Sequence, residues 1–276
     1  MKTLVSIFGP RIKGVALVYL LLIADNLAWV ALPAFTGRAL DGLLSGSYGG
    51  LIALIGVWIA GSVLSTFRQS YDTRLFTSLS SEFASSVAAR HAAAGKSISL
   101  VSARSNLSRE VVSFFAQELP MACRGAIAAL GALVVLFTYD VVVAAICAAV
   151  LVPTSLANAR FFSQSRWINR RLNNRLEREI IALGTESSRA VRRHYLALAR
   201  RRVMLSDREA LTSLVMRIAA LVALVLLLLN VSAASWSPGD MYAMIAYAMM
   251  FFTGLVDVPL FVGAVARFRD IMARLE

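Results

Sequence analysis

Three polar side chains and one tryptophan stand out because they lie within long apolar runs of the sequence. Asp25 and Asn26 lie near the middle of the first run, and Trp29 follows about one helical turn later. Asp257 lies in the last third of the final run, two positions before Pro259. An ionised carboxylate inside a bilayer is costly, and such acids generally face a cavity or a partner group. These four residues are therefore candidates for lining a solute or proton site.

Both acids also have a purely structural interpretation. A buried Asp25 is consistent with a hydrogen bond to another helix that serves packing alone. Asp257 can instead pair with Arg124 or Arg217, or lie near the cytoplasmic interface, while Pro259 disrupts the backbone bonding of its helix. The sequence leaves these interpretations open beside the functional ones.

No group of side chains has the spacing of a metal site or of a catalytic pair. His91 and His194 are single and far apart, and Cys123 and Cys147 lie in apolar runs, which favours inert thiols. Methionines at helical spacing in the last run are more typical of a lipid or packing surface than of copper ligands. These are Met241, Met244, Met249 and Met250. We therefore predict no catalytic residue, no metal and no cofactor of the chain's own, so an enzyme is not expected.

The composition narrows the class of protein. Of 276 residues, 58% are apolar and 16% are charged, whereas an ordinary soluble chain carries about 25% charged residues. This apolar content excludes a disordered chain, and two cysteines cannot form a disulfide scaffold of this size. Membrane topology explains the net charge of +12 better than nucleic acid binding does, and we expect no nucleic acid partner. An integral membrane protein is predicted.

Six runs are apolar enough for transmembrane helices, which need about 20 mainly apolar residues. They are predicted at 14–35, 51–67, 122–137, 141–156, 214–231 and 241–265. Roughly 50 residues separate the second run from the third, and the fourth from the fifth. These two connections contain few glycines and prolines, and the stretch from Arg166 to Arg208 has no proline and one glycine, Gly184. We expect the helices of spans two to five to continue through them as arms of about 25 residues, each reaching about 35 Å.

The basic residues are distributed unequally between the two sides of the membrane. Thirteen arginines lie between Arg160 and Arg208, whereas only Arg38 falls in a short connection on the opposite side. This asymmetry predicts that both termini and both long connections lie on the cytoplasmic side of a bacterial inner membrane. The basic segment is either a solvated face that touches anionic lipid or a docking surface for an acidic partner.

Three short strings give the chain a resemblance to a known family. The first ends the first span, the second forms the hairpin between spans three and four, and the third begins the last span. In order and spacing, this pattern resembles the membrane domain of ABC exporters of the six-helix type. The strings are Leu32-Pro33 with Thr36-Gly37-Arg38-Ala39-Leu40-Asp41, Leu136-Phe137-Thr138-Tyr139-Asp140, and Ser237-Pro238-Gly239-Asp240 with Ala243.

The resemblance implies an all-α membrane protein in which residues 1–276 form a single six-helix domain. In that family two six-helix halves combine, and helices four and five cross to the other half. A homodimer is therefore implied. The chain's own cavity would be lined by spans one, three and six, with Asp25 and Asp257 as candidate residues.

The chain is predicted to differ from full exporters in having no nucleotide-binding domain. Only about a dozen residues follow the sixth span, and Gly95-Lys96-Ser97 does not end a P-loop because Arg90 occupies the first glycine position. The resemblance therefore implies that ATP acts only through a separate ATPase chain. In that family the turns of the inner arms meet the ATPase. The corresponding coupling candidates are Arg104, Glu186, Arg189, Arg192 and Arg193.

The sequence thus favours the permease subunit of an ABC-type exporter working with a separate ATP-binding subunit. One alternative is an accessory or scaffold membrane protein that binds a neighbouring enzyme or transporter. Another is an ion-coupled transporter that uses Asp25. The sequence does not identify the substrate.

Overall fold

A computed structural model describes residues 9–93, 111–161, 163, 188–232 and 235–256. Within them, six helices are long and apolar enough to cross a membrane, and the predicted all-α class with six spans is confirmed. The helices are α1 (Ile12–Leu44), α2 (Gly49–Ala93), α3 (Val111–Tyr139), α4 (Val141–Phe161), α5 (Ser188–Ser232) and α6 (Pro238–Val256).

Helices α2 and α5 run well past their apolar segments. Each contains 45 residues, which corresponds to about 68 Å at 1.5 Å per residue, against a hydrocarbon layer of about 30 Å. The predicted helical arms are therefore confirmed for these two helices. Large apolar side chains of α2 point outward along one stripe, as expected for a lipid-facing surface. They include Ile52, Ile55, Ile59 and Val63.

A tight turn joins α1 to α2 and makes the two helices antiparallel neighbours. Gly46 has a φ of +77°, a left-handed conformation that a side chain with a Cβ adopts at a cost. The amide of Ser47 donates to the carbonyl of Gly42 at 2.7 Å, and that of Gly46 donates to Leu43 at 3.2 Å. These bonds form a Schellman motif that satisfies the last carbonyls of α1.

The described residues divide into two compact units. The first contains α1, α2, α3 and α6, with the start of α4 through Ala144 and the end of α5 from Asn230. In this unit α1 contacts α2, α3 and α6, and α6 also contacts α3. The second unit contains the remainder of α4 and α5, residues 145–229.

Small residues bring α3 and α6 close together in the first unit. A Cβ atom on Gly254 would lie 2.6 Å from the carbonyl oxygen of Gly125 and 3.0 Å from the Cβ of Ala129. Membrane helices approach one another in this way because there is little hydrophobic driving force between them in lipid. Here α3 and α6 are in direct contact, so they leave no room between these residues for a solute.

The end of α1 and the start of α6 are fastened together by Asp41. Its carboxylate accepts from Ser237 Oγ at 2.6 Å and from the amide of Gly239 at 2.8 Å. Ser237 Oγ also accepts from the amide of Asp240 at 3.0 Å. We call Asp41, Ser237 and Gly239 the α1–α6 clasp. Two of the strings that carried the family resemblance therefore meet here, where they satisfy free amides at the start of α6.

The opposite end of α1 packs against α2 and the start of α3. Arg11 bonds to Ser78 and lies 2.5 Å from Glu82, both on α2. Beneath these contacts lies an apolar cluster contributed by the three helices. Its buried members are Val15, Val18, Phe76, Leu79, Phe83, Val111 and Val112.

Candidate functional site

Asp25 is buried against an arginine that lies just past the predicted second span. Arg68 Nε lies 2.9 Å from Asp25 Oδ2, and the two side chains are only 9% and 4% exposed. Arg68 Nη1 also lies 3.6 Å from Asp72 Oδ2, one turn further along α2. The three groups form a charged cluster between α1 and α2, in which Asp25 and Arg68 are buried and Asp72 is partly buried. We call it the Asp25–Arg68–Asp72 cluster.

The other sequence candidates have separate surroundings. Asn26 is buried and donates from Nδ2 to the carbonyl of Leu22 at 2.6 Å, within its own helix. Trp29 is 53% exposed, and its ring centroid lies 6.0 Å from that of Trp58. Asp257 lies outside the described residues. The structure therefore brings Asp25 into a charged cluster and does not bring Asn26 or Trp29 into it.

A polar cavity of about 510 Å³ lies between α2 and α3 and begins at Asp72. Its walls carry hydroxyl and amide groups, which can both donate and accept hydrogen bonds. Because Asp72 also contacts Arg68, the cavity is linked to the charged cluster. This arrangement can hold a solute with hydrogen-bonding groups. The polar lining consists of Asp72, Thr73, Thr77, Ser80, Ser81, Ser113 and Gln117.

The α3 wall of this cavity contains a π-helical turn at Phe114–Glu118. There the amide of Leu119 donates to the carbonyl of Phe114, five positions back. The carbonyl of Phe115 has no equivalent donor, because the next residue in this register is Pro120, which has no N–H. The hydroxyl of Tyr19 from α1 donates to Phe115 O at 2.9 Å and replaces the missing bond. Single π turns of this kind are frequent at functional sites.

A second tyrosine forms hydrogen bonds with the backbone of α1 on either side of its internal proline. Pro33 cannot donate to the helix and opens its backbone bonding. Tyr247 of α6 places its hydroxyl at this opening, where it donates to Val30 O at 2.9 Å and accepts from Ala34 N at 3.3 Å. Val30 and Ala34 are the residues that would form the next helical hydrogen bond. In both α1 and α3, a tyrosine hydroxyl from a neighbouring helix therefore satisfies backbone groups whose helical hydrogen bonding a proline disrupts.

The change Tyr247→Phe is expected to destabilise the fold by about 1–3 kcal/mol, because buried backbone groups at the opening lose their hydroxyl partner. The measurement is the free energy of unfolding in detergent micelles. Tyr242→Phe is the matched control, since Tyr242 lies on the same helix and is 43% exposed; its expected effect is within about 0.5 kcal/mol. Equal effects of the two changes would contradict a role for the Tyr247 hydroxyl.

Sequence reasoning missed Arg68, Asp72 and Tyr247. Arg68 follows the predicted second span by one residue and therefore resembled a flanking interfacial charge. The usable signal was its distance from the turn: Asp25 precedes Gly46 by 21 positions, and Arg68 follows it by 22. In an antiparallel pair of helices, residues at equal distances from the turn lie at the same level. No comparable signal pointed to Tyr247, which is 217 positions from Val30.

Three of the five coupling candidates fall within the described residues. Arg189, Arg192 and Arg193 are exposed in the first two turns of α5. The Nε atom of Arg193 lies 3.5 Å from the carbonyl of Arg189. Arg104 and Glu186 lie outside the described residues. The start of α5 therefore presents a group of exposed arginines.

Comparison with known proteins gives one family match. The model of a family described as "ABC transporter transmembrane region" matches residues 6–237. The matched stretch includes α1 to α5 and ends at Ser237 of the α1–α6 clasp. A comparison with curated proteins finds no match.

Proposed function

Because the chain belongs to the ABC transporter transmembrane region family, we propose that it is the membrane-spanning subunit of an exporter whose ATPase is a separate chain. The chain is a membrane subunit of an ABC-type transporter. The separate ATPase and the outward direction of transport are the proposed parts. In this proposal the chain carries solute and hydrolyses nothing itself, and ATP acts only through the partner.

The observation that carries the proposal is the continuity of α2 and α5 from apolar span to arm. A continuous helix moves largely as a unit, so a displacement at the arm reaches the apolar segment. In α2 the same helix carries Arg68 and Asp72 of the charged cluster, and Asp72 also lines the polar cavity. A movement of this arm would therefore change the cavity. The π turn in α3 gives the opposite wall an irregular segment that can adjust.

The arginines at the start of α5 are the proposed contact with the ATPase. They are exposed, and the net charge of the chain is +12. Such a surface complements an acidic partner and speeds its association. We further propose a homodimer in a bacterial inner membrane, with both termini and both long connections on the cytoplasmic side. The distribution of arginines supports this orientation.

We expect the double change Arg192→Glu with Arg193→Glu to weaken ATPase binding at least tenfold, because like charges then face each other at the contact. The tagged chain would be purified in nanodiscs from its native host. The copurifying subunits would be identified by mass spectrometry, and ATP hydrolysis by the complex would be measured. The reversed chain should lose both the ATPase subunit and the hydrolysis.

The matched control is Arg200→Glu with Arg202→Glu, which reverses two exposed charges further along the same helix. This variant should retain the ATPase. A homodimer without any ATPase, or equal loss in both variants, would contradict the proposal. Uptake driven by a pH gradient in vesicles lacking the ATPase would instead indicate ion coupling at Asp25. The absence of both ATP-driven and pH-driven transport would indicate an accessory role.

A further inference from the structure

The second unit contains an apolar groove that the proposed transport mechanism does not use. It lies between α4 and α5 and has a volume of about 460 Å³. Most of its lining is aliphatic or aromatic, and two arginines border it. The lining residues are Pro153, Leu156, Ala157, Arg160, Phe161, Arg208, Leu211, Thr212 and Val215.

The two arginines lie at the same boundary of the hydrocarbon layer. Arg160 follows the mainly apolar stretch 141–157 of α4, and Arg208 precedes the mainly apolar stretch 211–229 of α5. Each stretch is about 26–29 Å long at 1.5 Å per residue, close to the thickness of the hydrocarbon. Both side chains border one groove, so their guanidinium groups are at the depth of lipid headgroups.

Within the described part of the chain, the groove carries two positive charges and no negative charge that would balance them. Both arginines are exposed, and no acidic side chain is among the lining residues. Asp207, although next to Arg208 in sequence, does not line the groove. A guanidinium group binds phosphate oxygens through two parallel hydrogen bonds. Two guanidinium groups above an apolar groove therefore complement one phosphate with an attached acyl chain.

We propose that this groove binds an anionic phospholipid from the adjacent leaflet. Its phosphate lies between Arg160 and Arg208, and an acyl chain lies along Leu156, Ala157 and Leu211. A single arginine at a helix end is explained by its side chain reaching the membrane interface, and by itself it does not indicate a ligand site. Two arginines from different helices that border one apolar groove form a site, and basic pockets between membrane helices bind lipid headgroups of this kind.

The test measures lipid binding to the purified full chain in a zwitterionic detergent by native mass spectrometry. The probes are phosphatidylglycerol and phosphatidylcholine with identical acyl chains. The unchanged chain should bind one phosphatidylglycerol at least tenfold more tightly than phosphatidylcholine. The double change Arg160→Gln with Arg208→Gln should weaken phosphatidylglycerol binding about thirtyfold, since each basic residue contributes about a factor of five.

Two further variants separate a site from general charge attraction. Arg200→Gln with Arg202→Gln removes the same charge outside the groove, and binding should stay within twofold. Ala157→Phe fills the groove and keeps both arginines, and binding should fall at least tenfold. If one of the two groove variants fails to fold, the other still tests the site.

Several results would overturn the proposal. Equal affinity for the two lipids would exclude selection by charge, and an equal loss in the Arg200 and Arg202 control would reduce the effect to net charge. Displacement of the lipid by millimolar inorganic phosphate would indicate a site for free phosphate. Loss of self-association in Ala157→Phe without a change in lipid binding would assign the groove to a second copy of the chain.

Discussion

Asp25→Ala is expected to lower the free energy of unfolding by about 3–5 kcal/mol, because it leaves a buried arginine without its closest counter-charge. Arg68 is 8% exposed. After the change, the remaining carboxylate near its guanidinium among the described residues would be that of Asp72, at 3.6 Å. The loss would be measured by reversible denaturation of the purified chain in detergent micelles.

Two further variants test the cause of this loss. Glu82→Ala breaks the Arg11–Glu82 pair, which joins the same two helices but is 39% and 59% exposed, and it should cost less than about 1 kcal/mol. Asp25→Leu combined with Arg68→Leu removes both charges and should recover most of the stability. If Asp25→Ala were as mild as Glu82→Ala, water would reach the cluster, which would favour a transport role for Asp25.

Gly239→Ala is expected to destabilise the fold by about 3 kcal/mol, because the added methyl group has no room in the α1–α6 clasp. A Cβ atom there would overlap the carbonyl oxygen of Gly37 and would lie 2.5 Å from Asp41 Oδ2. The first obstacle is backbone, so α1 and α6 must separate to admit the methyl group. That separation also strains the two hydrogen bonds of Asp41.

The same substitution at Gly56 is the matched control. Gly56 lies within α2, and a Cβ atom there would meet nothing within 4 Å. Gly56→Ala should therefore stabilise the fold by up to about 1 kcal/mol, since alanine favours a helix interior over glycine. Thermal unfolding of both variants in the same detergent compares them directly. Effects of the same sign and size would show that the α1–α6 clasp tolerates a wider helix spacing than the structure has.

Much of the architecture was predictable because the signals that specify it are local. A span is a contiguous apolar run, and the six predicted runs all fall within helices over their described residues. The arms were predictable for the same reason, since the long connections contain few glycines and prolines. Asp41, Ser237 and Gly239 were visible as parts of family strings. Their role as a clasp between α1 and α6 was not, because it depends on a contact between residues almost 200 positions apart.

The candidate site was predictable only in part. Asp25 was identified correctly as a buried acid, since its charge within an apolar run requires a compensating group. That group turned out to be Arg68. The predicted cavity lined by spans one, three and six stays a prediction. The polar cavity that the structure describes lies instead between α2 and α3.

The sequence by itself determined which segments can span a membrane and which family the strings resemble, and it predicted which side carries the basic residues. The tertiary structure alone decided which face each helix turns to its neighbours. That choice pairs Asp25 with Arg68, places Tyr247 beside Pro33 and leaves Trp29 half-exposed. The reason is physical: lipid tails are as apolar as most of these side chains. Hydrophobicity therefore drives a segment into the membrane but does not favour one rotation of the helix over another. Rotation is set by small-residue contacts, hydrogen bonds and charge pairs between distant segments.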